Sequence, residues 1–468
     1  MTKRYFFKSK TFKYLLVLIL LLRFCFVDNE IADYQKPKDK SFIANVCSEP
    51  KRYFNKQVLV LCSNKPYKIQ VTTTTFPSYS LYDNLQVKCK LQIPENKDDF
   101  DYRNYLNKQN IYFTCYSFAV KKIDELSYFD LDLFKKIKYK LWFFKMKLAS
   151  KIEKNLPEPG AGLSKAMFLG LKTEVEANLK EKLESNGLAH ILAISGMHIA
   201  IIYTLLFFIL NRLSINTKLI KTLLSAVLII YLAIIGFSVS ASRAVIMIII
   251  SFSASSLKKS LSRLYLAGFI ILLISPDLIT SPAMQMSFLA VWSLLSIMPN
   301  LDYYFTKRLS KLRLRSKEGR YKGFKLKIYK SIINIFKNKY FKYFYFLFIA
   351  SLAVNLVLWP LILYYFASYN LLSIFLNLLI LPLMPLILLL IILGISVASS
   401  AFLAKLFFVP LYFIFKYFYI VSTFDFSAYY ISFDISIYFL FLYYLMLFSY
   451  LYITKNRLRK NLLFVKNI

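Results

Sequence analysis

The sequence predicts a polytopic α-helical membrane protein of about ten transmembrane helices, with a small β-barrel domain in water. Three observations predict it. Of the 468 residues, 57% are hydrophobic, above the roughly 45–50% of a soluble domain, and that much apolar surface does not stay in water. The formal net charge is +36, and high hydropathy beside high charge excludes a disordered chain. The charge is also partitioned. Residues 1–184 carry 20 of the 25 acids, whereas residues 185–468 hold 28 Lys and Arg against five acids, Asp277, Asp302, Glu318, Asp425 and Asp434. An apolar segment with few carboxylates and clustered cations reads as lipid-spanning helices with basic loops inside.

Taken in order, residues 1–27 predict a cytoplasmic N-terminus and an anchor helix. Lys3, Arg4, Lys8, Lys10 and Lys13 precede an apolar run over 14–27. A secretory signal would look similar, but Arg23 and the lack of a small-residue cleavage site favour an uncleaved anchor. The positive flank keeps the N-terminus inside and sends residues 28–157 outside.

Residues 28–129 predict the water-facing domain. Five β-rich runs (42–47, 57–63, 68–76, 85–93 and 111–121) are separated by Pro, Asn and Asp. Five short strands suit a small barrel, and the OB-fold is the commonest choice. Residues 130–186 predict amphipathic linker helices. Over 130–156, Phe134, Tyr139, Trp142 and Phe143 interleave with Lys135, Lys136, Lys140 and Lys147, too charged to span lipid and suited to an interface. The alternative is an exposed helix packed on the barrel.

Residues 187–454 carry nine further apolar runs: 188–210, 222–237, 243–257, 264–276, 283–299, 344–366, 371–398, 400–424 and 435–453. Residues 343–404 are 62 positions without one Lys, Arg, Asp or Glu, enough for two crossings. Counted from an inside start, the inner loops hold Arg212 and Lys218, then Lys258, Lys259 and Arg263, then residues 300–343, then the basic tail 455–468. The 300–343 loop alone has fourteen Lys and Arg against two acids. That asymmetry obeys the positive-inside rule.

Most enzyme signatures are missing. There is no G-x-x-x-x-G-K-[ST] loop for ATP. Two His, with few acids nearby, cannot assemble a dinuclear metal site, and five Cys without C-x-x-C spacing give no zinc ribbon. No cofactor, metal or catalytic residue is therefore expected. Three polar clusters stand out inside the apolar region. His190, Ser195, Gly196 and His198 fall between residues 186 and 198. Ser238, Ser240, Ser242 and Arg243 follow Gly236, and Gln285 and Ser287 lie after Pro282. Buried polar groups in lipid commonly line a pathway; the competing reading is hydrogen-bonded glue between helices. Arg243 is the hardest to explain as glue, unless it snorkels to a headgroup.

At these residues the chain resembles the ComEC family of competence proteins, which carry DNA across the bacterial inner membrane. The segment from Gly187 through His190 to Ser195, Gly196, Met197 and His198 resembles the family's His-Leu and Ser-Gly-Leu-His signature, with Met197 for the usual leucine. The segment from Gly236 through Ser240 and Ser242 to Arg243 and Ala244 is similar to its Ser-x-x-Arg-Ala helix. Ser275-Pro276-Asp277 with Gln285 and Ser287 resembles the next element, Asn377 to Pro382 the late Asn–Pro helix, and Phe100-Asp101-Tyr102 the motif that ends the OB-like domain. The resemblance covers about residues 40–450. Many members carry more helices before the OB-like domain and a C-terminal metallo-β-lactamase-like domain; this chain reads as a form lacking the latter.

The resemblance implies a multi-pass channel in the bacterial inner membrane that moves single-stranded DNA during transformation, with residues 28–129 in the periplasm. DNA-path candidates are His190, Ser195, Gly196, His198, Ser242, Arg243, Gln285 and Ser287. In the OB-like domain Tyr79 and Tyr82 are candidates for stacking bases, and Lys88 and Lys90 for meeting phosphates. Arg243 is expected to face the conduit with His198 and Ser242. Implied partners are single-stranded DNA, membrane lipids, a cytoplasmic helicase or translocase and periplasmic DNA receptors, with a separate nuclease and a homo-oligomeric copy as options. Competing readings are a transporter or flippase for an anionic small molecule or lipid, and an intramembrane hydrolase with Ser195 as nucleophile and His198 as base. Cys47, Cys62, Cys89 and Cys115 all fall in the water-facing domain. An oxidising compartment would allow one or two disulfides among three full connectivities; four buried free thiols are the alternative.

Overall fold

The computed structural model describes residues 41–53, 55–96, 102–107, 109–117, 119–125, 131–213, 215–253, 260–317, 338–423, 430–431 and 435–466. The predicted anchor with Cys25, Phe100 and Asp101, residues 318–337 of the predicted basic loop 300–343, Asp425 and Asp434 lie outside the described residues; residues 300–317 of that loop are helical.

The water-facing domain is a sheet of β1 (Ser41–Val46), β2 (Lys51–Arg52), β3 (Gln57–Cys62), β4 (Lys68–Thr73), β5 (Asp83–Lys88), β6 (Ile111–Tyr116) and β7 (Ala119–Glu125). Side chains alternate across a strand, and the sequence obeys that period. Leu59 and Leu61, Ile69 and Val71, Leu85 and Val87, and Phe113 and Cys115 all point into one core. The strand order is β6-β4-β3-β1-β5-β7, with β2 beside β3. Pairs are antiparallel except β4 with β6, which is parallel.

This corrects the expected closed five-stranded barrel. The run 111–121 is broken at Ser117 into two strands that sit at opposite edges of the sheet, and no ladder joins those edges among the described residues. Only residues 117 and 118 connect them, so the sheet curls until its two ends meet at one corner. Ser117 holds that corner: its amide donates to the Thr72 carbonyl (3.0 Å) and its hydroxyl to the Lys88 carbonyl (2.8 Å). Register shifts in the β4–β6 and β5–β7 ladders supply the extra twist that bulged strands carry. Two disulfides, Cys47–Cys62 and Cys89–Cys115, cross-link the sheet.

Helix α1 (Tyr102–Asn107) leads into β6, and its Tyr102 hydroxyl accepts from Gln70 Nε2 (3.0 Å). Helix α2 (Leu133–Asn155) joins the sheet to the helical region. Its first turn is exposed, Phe134 at 85%, while Trp142, Ala149 and Ile152 are buried. Lys138 donates to the Cys47 carbonyl (3.2 Å) and Lys145 pairs with Glu49 (2.7 Å). Farther along, Lys151 donates to the Ile395 carbonyl (3.2 Å).

Helices α3 (Gly160–Leu169) and α4 (Ala177–Ser185) close the linker around one buried cation. Lys165 Nζ lies 2.6 Å from Glu153, 2.7 Å from Glu174 and 3.9 Å from Glu158. Burial alone would lower the ammonium pKa, but Glu174 and Glu153 outweigh it and hold it above 10.5. A raised folded pKa gives stability that is complete below the unfolded value and lost only as pH climbs past the folded one. The Lys165 ammonium therefore keeps its charge through neutral pH. Lys165→Met would leave the glutamates without their cation, and about 3 kcal/mol of stability should go with it. The thermal midpoint of the purified chain at pH 7 checks this; an unchanged midpoint contradicts it.

The remaining helices are α5 (Ala189–Leu192), α6 (Gly196–Asn211), α7 (Thr217–Ile235), α8 (Val239–Ser253), α9 (Ser260–Ile274), α10 (Pro282–Ser296), α11 (Met298–Lys317), α12 (Lys339–Phe366), α13 (Ser373–Ile380), α14 (Met384–Ser396), α15 (Ala401–Thr423) and α16 (Ile437–Lys466). Each of the nine predicted apolar runs has a helix among the described residues, with 243–257 described only to Ser253 and 188–210 and 371–398 each divided between two helices. Among the described residues, five stretches are long and apolar enough to cross a membrane: Thr217–Ile235, Pro282–Lys307, Lys339–Phe366, Ser373–Ser396 and Ala401–Ser422. Gly196–Asn211, Val239–Phe252, Ser260–Ile274 and Ile437–Leu451 are shorter. At 1.5 Å per residue such helices reach about 23 Å, less than the roughly 30 Å hydrocarbon core.

Pro360 interrupts α12 and cannot donate to the carbonyl four residues back. That carbonyl, Leu356, instead accepts from the Tyr443 hydroxyl of α16, and Tyr444 does the same for Val357 (2.9 Å). A neighbouring helix thus satisfies what the proline frees. Tyr443→Phe should cost about 1 kcal/mol by orphaning Leu356, read as a lower unfolding midpoint in detergent.

Candidate functional site

The predicted run 188–210 is not one helix. It breaks after Leu192, and α6 starts afresh at Gly196 with Ser195 as its N-cap. His198 takes the third helical position, where a cap is often closed by Glu. The Ser195 amide donates to His198 Nδ1 (3.2 Å), and the Ser195 hydroxyl lies 2.9 Å from the same nitrogen. With Nδ1 accepting, the neutral ring carries its proton on Nε2, which is buried and has no partner among the described residues. The reciprocal cap accounts for the Ser195–His198 contact without nucleophilic chemistry.

Helix α8 packs its polar turn against this cap. Gly196 N–H donates to Ser240 Oγ (3.2 Å), and Ser238 Oγ reaches the Ile194 carbonyl (3.5 Å). Arg243, only 5% exposed, extends from α8 between α6 and α10. Its Nη1 donates to the Ser287 carbonyl, and its guanidinium carbon sits 5.7 Å from the centre of the Phe288 ring. On the other side, a β-carbon at Gly196 would come 2.7 Å from Arg243 Nη2. Glycine is needed there so that the guanidinium can lie against the start of α6. Arg243 Nε and Ser287 Oγ are buried and unpartnered among the described residues.

The structure therefore sets Arg243 against Gly196 and Ser287, while His198 pairs with Ser195 two residues further round α6. It does not open them to a wide conduit: Arg243 and His198 are buried between packed helices, because the Ser287 carbonyl and the Ser195 cap draw each inward. Ser242 is half-buried beside Arg243. Gln285 faces elsewhere, donating to the Ile279 carbonyl (3.0 Å) and accepting from the Tyr365 hydroxyl (2.9 Å). His190 is exposed on α5, with Nδ1 3.2 Å from the Gly187 carbonyl.

A second polar knot escapes the sequence reading. Asn355, midway along α12, accepts from Tyr369 (2.7 Å) and Ser373 (3.3 Å) and donates to the Ser351 carbonyl (2.9 Å). A β-carbon at Gly187 would meet Ser373 Cβ at 2.8 Å, so the knot abuts the same broken segment. An Asn in an otherwise apolar helix is the signal that could have found it.

In the sheet, Tyr79 is not placed to stack bases. It is 3% exposed and donates its hydroxyl to the Val120 carbonyl (2.9 Å), because its ring fills the core; burial and then the Asp83 carboxylate raise its pKa. Tyr82 is half-buried, whereas Lys88 and Lys90 are exposed. A groove of about 410 Å³ opens instead where β1 outruns β3, lined among others by Phe42, Asn45, Lys65 and Asn84. Among the described residues no three His, Cys, Asp or Glu gather as a metal site.

Residues 167–457, which include the whole Arg243 site, match the profile of the family described as Competence protein. ComE operon protein 3 of Bacillus subtilis (strain 168) is 28% identical over 199 residues, 42% of this chain and 25% of that protein. The match thus spans a quarter of that relative's length. No solved structure matches the chain. The family profile spans well over half the chain and holds every polar residue of the Arg243 site, so the chain belongs to the competence protein family, the one its Ser-Gly-x-His and Ser-Arg-Ala motifs resemble.

Proposed function

We propose that the chain is the inner-membrane conduit for single-stranded DNA in transformation. The observation that carries this is a buried arginine, at the heart of the competence-family region, with no carboxylate bound to it among the described residues. A polyanion in transit is favoured by cations and few acids. In this reading about ten crossings, some completed by segments flanking the shorter helices, surround the path. The OB-like sheet faces the periplasm and receives the strand, and basic segments face the cytoplasm. The chain acts as a channel and not as an enzyme. A cytoplasmic helicase or translocase does the pulling, and periplasmic receptors deliver the DNA.

Uptake of labelled single strands into vesicles containing the full chain tests the proposal. Wild type should show saturable uptake that weakens as salt rises. Arg243→Ala, at normal protein level, should lower uptake about tenfold, the scale of one lost charge-assisted contact. Arg243→Lys should recover only part, because an ammonium lacks the bidentate fork. No uptake by wild type, or full uptake by a well-expressed Arg243→Ala, overturns it.

A further inference from the structure

Two polar atoms at the Arg243 site are buried without a partner among the described residues: Arg243 Nε and Ser287 Oγ. Both can donate a hydrogen bond. An unmet buried donor is costly. The charge points the same way. Helix α6 begins at Gly196, so its positive end lies against the guanidinium, and like charges pressed together in a low dielectric call for an anion. The Ser287 carbonyl and the Phe288 ring relieve only part of that charge. In residues 185–468 the described acids are Asp277 and Asp302; Asp302 is held by the Tyr345 hydroxyl (3.1 Å).

We propose that the start of α6, Arg243 and the Ser287 hydroxyl form a binding site for a phosphate-class oxyanion, occupied while the helices are packed as seen here. A water molecule could satisfy the donors but would leave the cation uncompensated. An oxyanion answers both needs, with several acceptor oxygens for the fork of an arginine. The site coincides with the conduit reading and deepens it, yet its occupancy is measured without transport.

The test uses the full chain in phosphatidylcholine nanodiscs, with ionic strength held by gluconate. Inorganic phosphate and dimethyl phosphate are each titrated against the thermal midpoint. A ligand that binds only the folded state raises the midpoint saturably, and a rise of a few degrees is expected for both probes. Nanodiscs containing phosphatidylglycerol separate the sources: a raised starting midpoint with a smaller increment assigns the site to a lipid headgroup, and an unchanged increment assigns it to free phosphate or phosphodiester. Arg243→Gln should abolish the rise, and Ser287→Ala should weaken the apparent affinity severalfold. No saturable rise in wild type, or the same rise in Arg243→Gln, overturns the site. Where Arg243→Gln does not fold, an unaltered affinity in Ser287→Ala does so instead. Phosphate binding without strand uptake would sink the conduit proposal and leave this site standing; uptake without phosphate binding does the reverse.

Discussion

Gly196→Ala is expected to cripple the protein, although it adds a single methyl group. The new β-carbon would sit 2.7 Å from Arg243 Nη2. The tip of an arginine ordinarily swings aside, but this one is pinned by the Ser287 carbonyl and lies over Phe288. Overpacking of this kind costs about 1–3 kcal/mol, and moving the guanidinium also releases its hold on α10. Both the thermal midpoint and strand uptake should fall. In an Arg243→Gln background the side chain no longer reaches Gly196, so the same alanine should cost little. That difference is a coupling of about 1 kcal/mol or more between neighbours. Equal costs in the two backgrounds would show that the contact does not exist.

The second large effect is expected from reduction of the sheet domain. Cys47–Cys62 closes a separation of 15 residues and Cys89–Cys115 one of 26. By loop entropy these contribute about 3 and about 3.5 kcal/mol, a large share of the roughly 5–15 kcal/mol that holds a typical domain together. Urea unfolding or proteolysis of the sheet region, with and without reductant, should differ sharply. Thiol titration of the unreduced, denatured chain should find none of these four cysteines reactive. Four reactive thiols would refute both bridges and remove a strong reason to place the sheet in an oxidising compartment.

The apolar helices were legible because hydropathy over 15 or more residues survives any change of neighbours. The polar residues near Ser195 and Arg243 were legible as well, since charge and serine are conspicuous in lipid-compatible sequence. Their geometry was not, because the buried guanidinium and the docking of the Gly196 amide depend on segments 44 positions apart in sequence meeting at Ser287 and Ser240. Residues 111–121 read as one strand; only the partner carbonyls of Thr72 and Lys88 reveal that Ser117 turns the chain from one sheet edge to the other. Tyr79 sits among Pro77, Ser78 and Ser80, a loop-like setting, yet Val120, which binds it, lies 41 residues on. Lys165 looks like any linker lysine, since Glu153, Glu158 and Glu174 show no regular spacing around it.

Helix α2 has a mechanical consequence. Its 23 residues make a rod of about 35 Å. Lys138 and Lys145 moor it to Cys47 and Glu49, at the cross-linked corner of the sheet, and Lys151 lodges it against the last turn of α14. The sheet is therefore a handle on the helices and not a float on a tether. A load applied to the sheet passes to the helical region through a stiff member that takes up little slack.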